Sequence, residues 1–168
     1  GKKVPICTIE PMDPPAIIVS NVLVDGASEA ERRFLLGGLL KLLQSHLGLP
    51  LSLTSYDLGL VIGALVRLYV PSYTPLGYAE KQIANEASRI KRAIPSKLQG
   101  QLLPHAMECS AAALDFDGIV ETIMLAGHHA GLVLTGDIGS AVSMLRRKGA
   151  AGERLVDDLL RFAASEEF

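Results

Sequence analysis

Apolar positions along the chain change their spacing several times, and each change predicts an element. Residues 3 to 24, KVPICTIEPMDPPAIIVSNVLV, hold two β-rich runs, Val4 to Glu10 and Ala16 to Val24, around the breaker EPMDPP. Pro11, Pro14 and Pro15 exclude a helix there. A two-stranded ribbon follows, and because such a ribbon is marginal alone it must pack on the rest of the chain. After Asp25-Gly26 the period becomes helical. Ser28 with Glu31 spells a capping box, and a helix runs from there to about His46. From Phe34 to Leu43 that helix is apolar on nearly every face except at Lys41, which predicts a central element covered on several sides. Gly37 and Gly38 in its middle each cost roughly 0.5–1 kcal/mol against Ala, so close approach by another backbone is the expected compensation.

Leu49-Pro50 breaks the pattern, and Thr54 with Asp57 caps a second apolar helix, SYDLGLVIGALVRLYV. Its Gly59 and Gly63, four apart, predict tight helix packing. Residues 76 to 94 form an amphipathic helix with Ile83, Ala87, Ile90 and Ile94 inward. Pro95 stops it and opens the next helix, Pro104 bends or ends that one, and AMECSAAALDFDG adds a short helix. Asp115 or Asp117 begins a long helix to about Leu134, closed by Thr135-Gly136. Asp137 starts another through Arg147, with Arg146, Arg147 and Lys148 complementing its C-terminal dipole and Gly149 stopping it. The last helix, about Gly152 to Ala164, places Leu155, Val156, Leu159, Leu160 and Phe162 inward.

The fold expected is mainly α (α+β): a compact multi-helix body, 27–168, behind an N-terminal strand segment, 1–26. With no fixed-period repeat and no low-complexity linker, 168 residues form a single domain. Apolar residues make up 49%, enough for a real core, and the scarcity of aromatics favours helices of Leu, Ile, Val and Ala. A chain beginning GKK without Met reads as a tag remnant or as a fragment of a larger protein.

Charge removes some functions. The formal net charge is -2, and the most basic stretch, Lys81 to Lys97, is diluted by Glu86, so nucleic acid has no electrostatic footprint. The longest charge-free runs, Leu58 to Val66 and Thr122 to Gly136, fall short of the roughly 18–20 residues that span a bilayer, so no transmembrane segment is expected. Cys7 and Cys109 read as reduced thiols of a cytoplasmic protein.

Candidate chemistry is thin. His46 and His105 stand apart from any cluster. His128 and His129, in GHHAG, are adjacent, so on a helix they point about 100° apart, whereas a two-histidine metal pair wants i,i+4 spacing. Glu121 shares the face of His128 but lies about 10 Å along the helix. His128 is expected to be buried and hydrogen-bonded, and His129 exposed. Asp115 and Asp117 read as a helix cap, Asp157 and Asp158 as a solvated face. There is no Gly-x-Ser-x-Gly elbow, no Cys-x-x-Cys, and no phosphate loop at the glycines around 59–63 or 136–139.

Two stretches carry a resemblance. IIVSNVLVDGASEAERRFLLGGLLKLL, residues 17 to 43, and MLAGHHAGLVL, residues 124 to 134, resemble the core of zinc-dependent peptidases built on a His-Glu-x-x-His helix and a later Glu-x-x-Ala-Asp-x-x-Gly helix. In this alignment Gly38 falls at the first zinc histidine, Leu39 at the general-base glutamate, Leu42 at the second histidine and Met124 at the third ligand. Gly127, His128 and Gly131 take the places of the alanine, aspartate and glycine. The chain is also similar to C-terminal regions of large bacterial proteins with tetratricopeptide repeats upstream. The resemblance implies a zincin-like core that has lost its metal site. It implies a pseudoenzyme with no catalytic residue, no metal and no cofactor, since the chemistry needs two imidazoles, a carboxylate ligand and a base. The function implied is a non-catalytic structural or protein–protein interaction module, its partner another protein or other domains of the parent chain. Two alternatives stand beside it. One is an enzyme or metal-binding domain using His128 with Glu121, His129 and the nearby Asp117 or Asp137. The other is a small apolar ligand-binding domain, with room left by Gly59, Gly63, Gly127 and Ala130.

Overall fold

A computed structural model describes residues 7–10 and 12–165. Val4 to Ile6 of the expected first strand, and Pro11, lie outside the described residues. The protein is mainly helical, with a small antiparallel sheet near its N-terminus, and the chain forms two compact units.

The first unit comprises Gly1–Ser52 with Ile119–Phe168. Strands β1 (Cys7–Glu10) and β2 (Ala16–Val19) pair antiparallel, Cys7 opposite Val19 and Glu10 opposite Ala16. The second β-rich run does not extend to Val24. Residues Asn21–Gly26 form helix α1 instead, entered from an extended Ser20. Arg32 donates to the carbonyls of Val24 and Ala27, at 2.7 and 2.9 Å, and Arg147 donates to that of Gly26, so the orphan acceptors at the end of α1 are met by long-range side chains that no local pattern announces.

Helix α2 (Glu29–Gln44) starts with the expected capping box: the Glu31 amide donates to Ser28 Oγ, and Glu31 accepts from the Ser28 amide. Glu31 then does more than cap. Its carboxylate also accepts from Ser143 and from Arg147, at 2.8 Å each, and it is buried. Burial alone would push its pKa up. The Ser28 amide, the Ser143 hydroxyl and the Arg147 guanidinium outweigh that and hold it below the usual carboxylate value. Arg147 is thereby diverted from the dipole role expected of it. The helix ends at Gln44, two residues early, because His46 adopts a left-handed conformation (φ 58°) and Leu47 donates back to Leu42. Leu40 is 57% exposed, so α2 is covered on fewer sides than its composition suggests. Leu49-Pro50 does not break the chain but lies within a short helix, α3 (Gly48–Ser52), where Pro50 is tolerated in the first turn.

Helix α4 (Ser55–Tyr69) follows an N-cap at Thr54, which accepts from the Asp57 amide. It belongs to the second unit, Leu53–Gly118, with α5 (Glu80–Ala93) and α6 (Ser96–Ala111). Gly59 and Gly63 do mark tight packing, but not against a helix backbone. A Cβ on Gly59 would overlap the Tyr78 hydroxyl, and one on Gly63 would press on the Pro75 ring. Tyr78 donates to the Tyr56 carbonyl, and Arg67 donates to the Tyr73 carbonyl and pairs with Glu80, which pins the loop between α4 and α5. That loop runs through residues 76–79, so α5 starts later than the periodicity suggests; the amide of its N-cap, Ala79, donates to Gln82. Pro104 neither ends nor divides α6, which continues through it to Ala111. The Gly100 carbonyl loses its helical donor there, at an exposed position where water can replace it.

Helix α7 (Phe116–Thr135) is longer than the charge-free run within it, because Asp117 and Glu121 fall in its first turns. By length and composition it alone, among the described residues, could cross a bilayer, which is weak grounds for a span. Its buried stripe of Gly127, His128, Gly131 and Leu132 marks a central helix. Gly136 (φ 61°) closes it, Asp137 caps α8 (Ile138–Arg146), and Gly149 (φ 70°) leads into α9 (Ala150–Ala163). The first unit's core gathers Leu23, Phe34, Leu132, Met144, Leu145, Val156 and Leu159. Leu160 is 44% exposed and points away from it, contrary to the inward set expected of α9.

Candidate functional site

Helices α2 and α7 meet through glycine. A Cβ on Gly38 would overlap the carbonyl oxygen of Gly127, and a Cβ on Gly131 would overlap that of Phe34. The expected compensation for Gly38 is therefore present as backbone-to-backbone contact. Gly37 faces only the Leu134 side chain.

Beside this crossing, within the first unit, lies a cavity of about 180 Å³. Phe34, Leu35, Gly38, Leu39 and Leu42 of α2 form one wall, and Met124, Gly127 and His128 of α7 another. Cys7, Thr8 and Ile9 of β1 and Leu51 of α3 close further sides, with Lys148 from the turn between α8 and α9. Gly38, Leu39, Leu42 and Met124 thus share one cavity, although Met124 lies far along the chain from the other three.

The cavity carries three groups with chemistry. His128 is 8% exposed and stacks on Phe34, ring centroids 5.8 Å apart, and its Nδ1 is buried with no hydrogen-bond partner. Burial, with smaller contributions from Lys148 and His129, pushes its pKa down to about 3, so the ring is neutral. It is buried as expected, but its Nδ1 lacks the expected hydrogen bond, because the α2–α7 approach packs apolar walls around it. Burial also lowers the Lys148 amine from its ordinary value, with the Cys7 thiol opposing, and raises the half-buried Cys7 thiol, with Lys148 opposing.

His129 turns the other way. Its Nε2 lies 2.6 Å from Asp158 Oδ2 and its ring stacks on Phe162 at 4.0 Å, tying α7 to α9. Asp158 is therefore a packing partner rather than part of a solvated face. Glu121 and Asp117 are exposed and do not line the cavity, and Asp137 caps α8 through Ser140. Among the described residues no three His, Cys, Asp or Glu side chains gather as a metal site. Cys7 and Cys109 are free thiols. Sequence reasoning missed Cys7 and Lys148 as cavity residues. A lysine ending a helix before a glycine reads as a dipole partner, and nothing local to it reports a cavity formed by strand and helices elsewhere in the chain.

Comparison with protein families, curated proteins and solved structures finds no match.

Proposed function

We propose that this chain is a ligand-less relative of the His-Glu-x-x-His zinc peptidases, serving as a non-catalytic interaction module of a larger bacterial protein that carries tetratricopeptide repeats. The observation that carries the reading is the cavity. The four positions at which the resemblance puts two zinc histidines, the general base and the third ligand all line it, on two crossing helices. The residues there do not fit zinc: glycine offers no side chain, leucine no donor, and the Met124 thioether is a soft, weak ligand in a cavity that also holds the Lys148 amine. A zincin-like core without its ligands retains a shaped helical body, and the exposed Ile18 on β2 offers an apolar point beside a sheet edge for a protein partner. The free thiols suit a reducing, cytoplasmic setting.

Metal content tests the reading. Protein purified without chelator is expected to hold near-zero zinc by inductively coupled plasma mass spectrometry, with His128→Ala no different. About one zinc per chain, lost on that substitution, would overturn it.

A further inference from the structure

We propose that the cavity between β1, α2 and α7 binds a small monocarboxylate, its carboxylate on Lys148 and His128 and its apolar body against Phe34, Leu39, Leu42 and Met124. Three observations of different kinds meet here. The first is an unanswered charge. Lys148 is partly buried at the cavity wall, and its amine makes no ion pair and no hydrogen bond with the described residues. Among the described residues no Asp or Glu lines the cavity. Two carboxylates of the first unit, Glu31 and Asp158, are engaged elsewhere, by Arg147 and by His129. A partly desolvated ammonium without a counter-charge is unfavourable, and an anion in the cavity offsets that cost.

The second observation is the orphaned imidazole. His128 is more than nine-tenths buried, lines the cavity, and leaves Nδ1 without a partner. A bare lone pair is tolerated in such packing better than an unpaired N–H, so the ring proton belongs on Nε2, which makes the ring a donor. A neutral donor beside an ammonium suits one carboxylate. A divalent cation is disfavoured, because Lys148 lines the cavity together with Cys7, Met124 and His128, the nitrogen and sulfur ligands among its described residues. Inorganic phosphate is disfavoured as well, since two donors leave most of its oxygens unmet against apolar walls.

The third is size and lining. An apolar cavity of about 150 Å³ accommodates a benzene, so 180 Å³ takes a ligand of roughly six to nine non-hydrogen atoms. Leucine, phenylalanine and methionine walls suit a short aliphatic chain or a single ring. This inference stands apart from the peptidase resemblance, because it uses Lys148 and the Nε2 proton of His128, which the resemblance does not assign.

The test is a titration of the whole chain with hexanoate, and separately with hexan-1-ol, its uncharged counterpart, followed by amide and methyl NMR shifts. Hexanoate should bind saturably, at least about ten-fold tighter than the alcohol, with shifts centred on Leu39, Leu42, Met124 and His128. Lys148→Met should abolish the preference and leave alcohol binding unchanged, while Lys148→Arg should retain part of it. Met124→Trp should block both ligands by filling the cavity, with the fold checked by far-UV circular dichroism. If that variant fails to fold, the lysine variants decide alone. Equal affinity for acid and alcohol, a preference that survives Lys148→Met, absence of saturable shifts, or phosphate binding as tight as hexanoate would overturn the proposal.

Discussion

His128 shows how a single buried group can dominate pH behaviour. In the unfolded chain it titrates near 6.5, and in the folded chain only near 3, because burial disfavours its charged form. Between those values the unfolded state binds more protons, so stability rises with pH. The stability linked to the neutral ring is therefore present in full above about pH 6.5 and is lost as pH falls toward about 3, with a slope that cannot exceed about 1.4 kcal/mol per pH unit. Glu31 has the same sign in a lower window, since its folded pKa lies below its ordinary value of 4.5. Urea unfolding at pH 7, 6 and 5 should show stability declining across that range, and His128→Leu should flatten the decline. A wild-type stability that is unchanged from pH 7 to 5 would mean that the ring reaches water. From sequence, burial of His128 was legible in its apolar surroundings. Its missing hydrogen bond was not, because that depends on which groups α2 and β1 bring to it.

Glycine has opposite consequences in different helices, and substitution separates them. Gly38→Ala gains roughly 1 kcal/mol of helix propensity but drives a methyl into the Gly127 carbonyl, which is backbone and cannot move without separating α2 from α7. A net loss of about 2 kcal/mol or more is expected. Gly100→Ala, exposed on α6 with nothing near its would-be Cβ, should instead stabilise by roughly 0.5–1 kcal/mol. Gly37→Ala should fall between them, since only the exposed end of Leu134 must shift. Denaturant midpoints of the three variants check the order. Helix starts were the most legible features of the chain, because Ser28, Thr54, Asp115 and Asp137 each act on the amide three residues away. Interruptions were less so: Pro104 stays inside α6, and residues 76–79 stay outside α5 because the 70–79 loop is fastened to α4. Propensity rules price the local chain, and tertiary contacts overrode them at these points.

The first unit is assembled from both ends of the chain, so α2 finds α7, α8 and the Glu31–Arg147 pair only once residues beyond 118 are made. A chain ending at Gly118 should leave Phe34, Leu42 and Leu23 without their partners. It should bind a hydrophobic dye and lose the dispersed methyl signals of those residues, while a well-packed first unit in that truncation would refute the division. Sequence by itself determined the helical class, the β-ribbon before it, most caps, and the demand for a close backbone neighbour at Gly38. These are effects of residues within a few positions of one another, or of a period repeated along one element. Tertiary structure alone decided that Gly127 answers Gly38, that Glu31 meets Arg147, and that Cys7, His128 and Lys148 surround one cavity with Gly38, Leu39, Leu42 and Met124. Those contacts join segments far apart in the chain, and their energy depends on burial and distance, which no local pattern of residues encodes.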